Sequence, residues 1–186
     1  SDEWPIEAAK RGLLNLKTTV EALPYFISEK NVALFTKHNV FSETEVYSRY
    51  EILLENYSKT INIEALTMIE MVKKDILPAV SSYIKELSKT ANSAKALCPD
   101  VDCEYEIAMV SKLSTLTSCM YKKMNVLDET LLNAKDYTDA LDLANFFCKS
   151  VFSAMQELRA VADEIETLVG EKYWPYPTYG QLLFNV

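Results

Sequence analysis

Apolar residues between Ser42 and Thr90 form two interleaved series in which positions recur every eleven residues. This repeat corresponds to about 3.67 residues per turn, close to a straight α-helix. The pattern predicts one long helix of roughly 70 Å at the α-helical rise per residue. Its apolar stripe is Val46, Tyr50, Leu53, Tyr57, Ile61, Ala65, Met68, Val72, Ile76, Ala79, Tyr83 and Leu87.

The long helix carries its own start signal and a single breaker. Ser42 and Glu45 have the spacing of a capping box, and His38-Asn39 suits the end of a preceding helix. Pro78 lacks a backbone donor and predicts a kink in the turn before it. Further apolar residues widen the stripe and predict that the middle of the helix is contacted on more than one side. These are Leu54, Ile63, Leu66, Ile69 and Met71.

Two heptad patterns follow a loop at residues 97–102. They predict helices from about Cys103 to Ala134, capped by Asp102, and from a cap at Thr138 or Asp136 to Val169. A short connection between them predicts an antiparallel, coiled-coil-like hairpin that packs on the long helix. Its seams are Val110, Leu113, Thr117, Met120, Met124, Leu127, Leu131 and Ala134, then Ala140, Ala144, Phe147, Val151, Ala154, Leu158, Val161, Ile165 and Leu168.

The two ends of the chain differ from this regular middle. Residues 1–41 predict short helices, with candidate caps at Asp2, Thr18 (with Glu21) and Ser28 and with Val32, Leu34 and Phe35 pointing inward. Gly170 ends the last helix. The fold class is therefore all-α: an elongated bundle of one domain, 1–186. Its parts are short helices (1–41), the Pro-kinked long helix (42–96), the hairpin (102–169) and an extended aromatic tail (170–186).

The tail is too apolar to remain solvated, and its prolines exclude a continuing helix. One interpretation is closure of the core; the other is an exposed docking site for the parent protein or another subunit. The candidate docking residues are Trp174, Pro175, Tyr176, Pro177, Tyr179 and Phe184.

Composition narrows the function. A net charge of −8 opposes binding to nucleic acid or anionic lipid, and the apolar runs are too short to span a membrane. The start at Ser1, without an initiator Met, favours a piece of a longer protein. Cysteines at 98, 103, 119 and 148 show no framework spacing, which favours reduced thiols in the cytoplasm.

Candidate chemistry is sparse. His38, the only histidine, is not three residues after a Glu, as a di-metal Glu-x-x-His motif would require. Glu64 falls on the inward side of the long helix, where pairing with a Lys or Arg is the default interpretation. Cys98 and Cys103 have no second ligand pair to complete a zinc site. We therefore predict no catalytic, cofactor-binding or metal-binding residue, and ordinary ion pairs for Arg49 and Arg159.

Three groups of stretches nevertheless resemble the C-terminal region of type III glutamine synthetases. The first and last are the most specific, the last including YWPYPTY at 173–179, whereas residues 88–150 are similar only as helix. The stretches are 1–4, 7–13 and 15–19; 29–35, 49–57 and 62–65; and 155–164 with 173–179.

The resemblance implies a parent enzyme that joins ammonia to glutamate with ATP, through a γ-glutamyl phosphate and with divalent metal. It also implies that the metal and nucleotide sites lie in an upstream catalytic barrel and that the subunits form rings. The hypothesis is a non-catalytic helical domain with a structural, assembly or regulatory role, whose partners are the catalytic domain and neighbouring subunits. The alternative is a free-standing helical interaction module, such as an adaptor or sensor-type bundle.

Overall fold

The computed structural model describes residues 3–184, and this part of the chain is helical without any strand. The all-α class is therefore confirmed. The candidate cap Asp2 lies outside the described residues. The helices are α1 (Glu3–Lys10), α2 (Thr19–Phe26), α3 (Glu29–Lys37), α4 (Glu43–Met71), α5 (Leu77–Leu97), α6 (Glu104–Leu132), α7 (Ala140–Phe146), α8 (Phe152–Glu166) and α9 (Tyr179–Phe184), with π segments at Val72–Ile76 and Phe147–Val151 and a 3-10 turn at Asn133–Asp136.

The predicted long helix is formed by α4, the first π segment and α5, and it begins where the capping box placed it. The Ser42 N–H donates to Glu45 Oε2 over 2.8 Å, and the Glu45 N–H donates to Ser42 Oγ over 3.3 Å. Asn39 ends the preceding helix in a left-handed conformation, with φ of 51°. Both boundary predictions are confirmed, and the helix continues to Leu97.

Pro78 lies in the first turn of α5, directly after the π segment Val72–Ile76. There the Leu77 N–H donates to the Val72 carbonyl, five residues earlier. A π turn is a recognised cause of helix bending and widens the hydrogen-bond ladder by one residue. The disturbance thus falls in the predicted turn, while the kink itself stays a prediction.

The described residues form two compact units. The first unit comprises the described residues up to Ile61 together with Ala134–Lys149. The second unit comprises Asn62–Asn133 and the described residues from Ser150 onward. In the first unit, a buried core forms where α2, α4 and α7 supply Val20, Leu54 and Ala144. Tyr50 and Tyr57 of α4 pack against this core.

The second unit is built from α5, α6 and α8, which pack along the predicted seams. Lys123 pairs with Glu157 at 2.8 Å and Lys112 pairs with Glu164 at 3.1 Å, so α8 runs antiparallel to α6. The hairpin is thus confirmed for α6 and α8, although α8 ends at Glu166, before the predicted end at Val169 and Gly170. The buried seam residues are Leu113, Met120, Met124, Leu127 and Leu131 of α6, and Leu158, Val161 and Ile165 of α8.

Several local predictions are wrong. The cap before α7 is Asp139, which accepts from the Leu141 and Asp142 N–H groups at 2.9 Å, and neither Thr138 nor Asp136 has this role. Asp102 accepts the Glu104 N–H, but Cys103 occupies the cap position of α6.

Burial also differs from the predicted stripe of α4. Leu53 is exposed and Leu54 is fully buried in its place. Of the residues predicted to widen the stripe, Ile63 and Leu66 are exposed, whereas Ile69 and Met71 are half-buried, so the widened stripe is covered only in part. Leu34 of α3, predicted inward, is half-exposed. Exposed apolar residues can mark surfaces that are buried by another chain or domain.

Of the capping bonds predicted for the N-terminal helices, the one at α2 is present and the one at α3 is absent. The capping box of α2 is complete, with the Glu21 N–H donating to Thr18 Oγ1 over 3.2 Å. Ser28 precedes α3 in an extended conformation but accepts no capping hydrogen bond. Pro24 is accommodated inside α2, which ends two residues later at Phe26.

Candidate interaction surfaces

The candidate residues for chemistry do not lie together. His38 is exposed at the end of α3, and Glu64 is exposed, so its predicted inward position is wrong. Among the described residues, no three His, Cys, Asp or Glu side chains are grouped closely enough to hold a metal ion.

The two loop cysteines occupy different environments. Cys98 is exposed at the end of α5, whereas Cys103 is buried with its Sγ 3.8 Å from the Ala91 carbonyl oxygen. All four cysteines of the chain are free thiols. A buried thiol of this kind behaves as a small apolar side chain.

The two arginines of interest differ from each other. Arg49 stacks on an aromatic ring, with its guanidinium carbon 4.4 Å from the centre of the Phe41 ring. The described structure shows this cation–π contact and no close ion pair of Arg49, whose charge nevertheless helps to lower the pKa of Glu45. Arg159 forms an ion pair with Asp163 at 3.6 Å, as expected.

Within the second unit, a long-range hydrogen bond joins the aromatic tail to the π segment before Pro78. Tyr176 Oη donates to Asp75 Oδ2 over 2.5 Å, and Asp75 belongs to the π segment before Pro78. Burial, followed by the hydrogen bond and charge of Asp75, raises the pKa of Tyr176 to about 12. Burial disfavours the charged phenolate. Asp75 disfavours it as well, because a phenolate could not donate the hydrogen bond and would face a carboxylate.

Two further aromatic residues continue this attachment. The rings of Tyr173 and Tyr83 have centroids 5.2 Å apart. The Trp174 Nε1–H is buried without a hydrogen-bond partner among the described residues. Trp174 lines a cavity of 330 Å³ with Met71 and Ile76. The tail therefore closes part of the core of the second unit, in agreement with the first interpretation.

The remaining predicted docking residues face solvent where they are described. Pro175 and Pro177 are exposed, and Phe184 lies with Leu182 and Leu183 on an exposed apolar end of α9. The side chain of Tyr179 lies outside the described residues. The tail also contains helix α9, where an extended chain was predicted. Its docking role stays a prediction.

Exposed apolar residues also occur at the start of the first unit. Trp4 and Ile6 of α1 and the connector residues Leu13 and Leu14 are more than half exposed. Gly12 turns the chain between them with a φ of 74°, a conformation that favours glycine. None of the described helices has the length and apolarity that a membrane span requires.

Residues 1–95 match the family described as "Glutamine synthetase C-terminal domain". The chain belongs to this family. The glutamine synthetase of Butyrivibrio fibrisolvens is 46% identical over 186 residues, which are 100% of this chain and 27% of that protein. The "Type-3 glutamine synthetase" of Dictyostelium discoideum is 34% identical over 191 residues, with 99% of this chain and 26% of that protein covered.

A third relative, the glutamine synthetase of Bacteroides fragilis, is 26% identical over 195 residues, which cover 100% of this chain and 26% of that protein. The domain thus spans about a quarter of the length of the curated relatives it matches. The resemblance seen in the sequence is confirmed. The family match ends at residue 95, near the end of α5, whereas α6 and α8 lie beyond it.

Sequence reasoning missed the residues that receive the tail, above all Asp75 and Tyr83. Their positions in the π segment and in α5 carry no signal of a partner about ninety to one hundred residues away. One local feature of the sequence points to this place: the charged Asp75 lies just before Pro78, where the sequence predicts a disturbed helix.

Proposed function

We propose that this chain serves as a non-catalytic helical domain of a glutamine synthetase, with a role in packing, assembly or regulation. The observation that carries the proposal is its membership of the C-terminal domain family, together with its coverage of about a quarter of each relative. The whole enzyme would ligate ammonia to glutamate with ATP and divalent metal bound in an upstream catalytic part. It would act in the cytoplasm as a ring-shaped homo-oligomer.

The exposed start of the first unit supports contact with that upstream part. Trp4, Ile6, Leu13 and Leu14 are apolar, exposed and clustered within the first fourteen residues. Burial of such side chains contributes about 1.5–3 kcal/mol each, so leaving them in water is unfavourable. A catalytic part that precedes the domain in the chain would be well placed to cover them.

A deletion tests the assembly role. The longer enzyme without Ser42–Gly170 should lose its ring assembly, measured by light scattering, and its glutamine synthesis should change. If the shortened enzyme keeps both its oligomeric state and its activity, the assembly role is wrong.

A second experiment avoids the risk that a large deletion simply misfolds. Leu13→Glu with Leu14→Glu, in the longer enzyme, should loosen the domain and raise its cleavage rate by an added protease. Leu132→Glu, at an exposed leucine of α6, is the matched control and should leave cleavage unchanged. Equal cleavage of all three proteins would contradict a covered surface at the N-terminal end.

The alternative of a free-standing interaction module draws support from the exposed apolar end of α9. Affinity capture from the source cells separates the two proposals. Recovery of glutamine synthetase polypeptides alone supports the first, and a distinct stoichiometric partner supports the second.

A further inference from the structure

The helical pair α5 and α6 continues beyond the end of α8. The ion pair of Lys112 with Glu164 places the last turn of α8 beside Lys112, whereas α6 begins at Glu104. On the other helix, a Cβ at Gly170 would lie 3.5 Å from the ring of Tyr83, and α5 continues to Leu97. Residues 84–111, here called the tip, therefore form a helical pair past the end of α8.

The tip carries a groove with an apolar residue beside it. The groove has a volume of 380 Å³, and α5 contributes only the short side chains of Ser88, Ala91 and Asn92. From α6, Ile107 lines the groove and remains 53% exposed. Leu97, at the end of α5, is 90% exposed. Short side chains on one helix allow another helix to approach closely, and an exposed isoleucine can fill such a groove.

Charge is divided between the two sides of the tip. The α5 side is mainly basic and the α6 side is acidic. None of these side chains forms an ion pair within the described part of the chain. The basic side has Lys85, Lys89 and Lys95, with Glu86 as its one acidic residue; the acidic side has Asp100, Asp102, Glu104 and Glu106.

We infer that the tip binds the tip of a second copy of this chain around a two-fold axis. In such an arrangement, α5 of each copy lies against α6 of the other, so each basic side meets an acidic side. Ile107 of each copy enters the groove beside Ala91 of the other, and the apolar contact occurs twice. This inference deepens the proposed assembly role and rests on it for its biological meaning.

Sedimentation velocity of the 186-residue chain over a range of concentrations tests the inference. A reversible monomer–dimer equilibrium is expected. Ile107→Glu should raise the dimer dissociation constant at least about tenfold, because it replaces the apolar side chain that enters the groove of the other copy with a charged one. The matched control is Ile63→Glu, at an isoleucine of α4 that is 63% exposed and lies outside the tip; it should leave the equilibrium unchanged.

Charge reversal provides a second test, which addresses the opposed charges; of the two residues changed, Glu106 also lines the groove. Lys89→Glu and Glu106→Lys should each weaken the dimer, whereas the combined variant should recover much of the loss. Added salt should weaken the wild-type dimer, because the opposed charges are exposed. Circular dichroism checks that each variant retains its helix content.

A chain that stays monomeric at every concentration would overturn the inference. So would a dimer that Ile63→Glu disrupts and Ile107→Glu does not. In the second case, the chain still dimerises, but through a surface other than the tip, and the proposed assembly role is not contradicted. Conversely, if the longer enzyme tolerates deletion of 42–170 while the chain dimerises through its tip, the assembly role is wrong and the interface stands.

Discussion

At the residue scale, the contact between Tyr176 and Asp75 joins positions that are 101 residues apart. The folded pKa of Tyr176, about 12, exceeds its ordinary value of 10.0. A raised pKa means that the folded state favours the protonated phenol. Its contribution to stability is therefore complete below pH 10 and is lost as the pH rises through about 12.

Tyr176→Phe removes the donor and leaves the ring. We expect the free energy of unfolding to fall by about 1 kcal/mol at neutral pH, because Asp75 loses a hydrogen bond. Urea denaturation measures this change. Tyr121→Phe, at an exposed tyrosine of α6, is the control and should have little effect. Equal effects of the two substitutions would contradict a specific role for the contact.

The pH dependence of the same pair of proteins gives an independent prediction. Between pH 10 and 12, the wild-type chain should lose more stability than Tyr176→Phe, which has no phenol to ionise at this site. The difference between their unfolding free energies should therefore shrink over this range. A constant difference would show that Tyr176 titrates at its ordinary pKa.

At the element scale, the start of the long helix depends on the reciprocal bonds of Ser42 and Glu45. These bonds lower the pKa of Glu45, the backbone contact more than the hydroxyl contact. A lowered pKa gives stability that is present above the ordinary pKa of 4.5 and is lost as the pH falls through the folded value.

Ser42→Ala should cost about 1 kcal/mol at neutral pH, since it removes the cap of α4. Part of this cost should disappear in acid, where protonated Glu45 no longer accepts the Ser42 bonds. Thermal unfolding at several pH values checks both statements. The control is Ser48→Ala, at an exposed serine inside the same helix. A cost for Ser48→Ala as large as that for Ser42→Ala would refute the capping role.

Pro78 offers a second prediction for this helix. The π segment before it already widens the ladder, so Pro78→Ala should change the free energy of unfolding by less than about 1 kcal/mol. Ser81→Pro, one turn later in regular α5, should cost about 3 kcal/mol, because it removes a ladder bond. Urea denaturation compares the two. A large gain in stability from Pro78→Ala would mean that the proline is strained.

At the scale of the whole molecule, the tail connects the end of α8 to the junction of α4 and α5 within the second unit. Tyr176 bonds to Asp75 in the π segment and Tyr173 packs against Tyr83 of α5, while Trp174 lines a cavity with Met71, the last residue of α4. The junction contains the π segment, whose hydrogen-bond ladder is irregular.

Removal of the residues after Gly170 should accelerate hydrogen exchange at Val72–Ile76 more than in the rest of α4, because the segment loses its Asp75 contact. Mass spectrometry of peptic peptides measures the exchange. Leu183→Ser, at an exposed leucine of α9, is the control and should leave the segment unchanged. Unchanged exchange after the truncation would contradict a stabilising role for the tail.

Local signals in the sequence determined the all-α class, the start of the long helix and the seams of α6 and α8. Capping and periodicity depend on residues three to eleven positions apart, so they can be recognised without knowledge of the fold. The Ser42 capping box and the buried Leu113, Met120 and Leu127 are examples.

Only the tertiary structure decided which apolar residues are covered and where the tail attaches. Leu53 and Leu54 are equally apolar neighbours, and the position of α2 and α7 selects Leu54 for the core. The π segment Phe147–Val151 has no proline to announce it. The contact of Tyr176 with Asp75 joins distant parts of the chain, and no local spacing encodes such a contact. The exposure of Ile107 in the groove likewise depends on the tertiary structure, because α8 ends before the tip and leaves it uncovered.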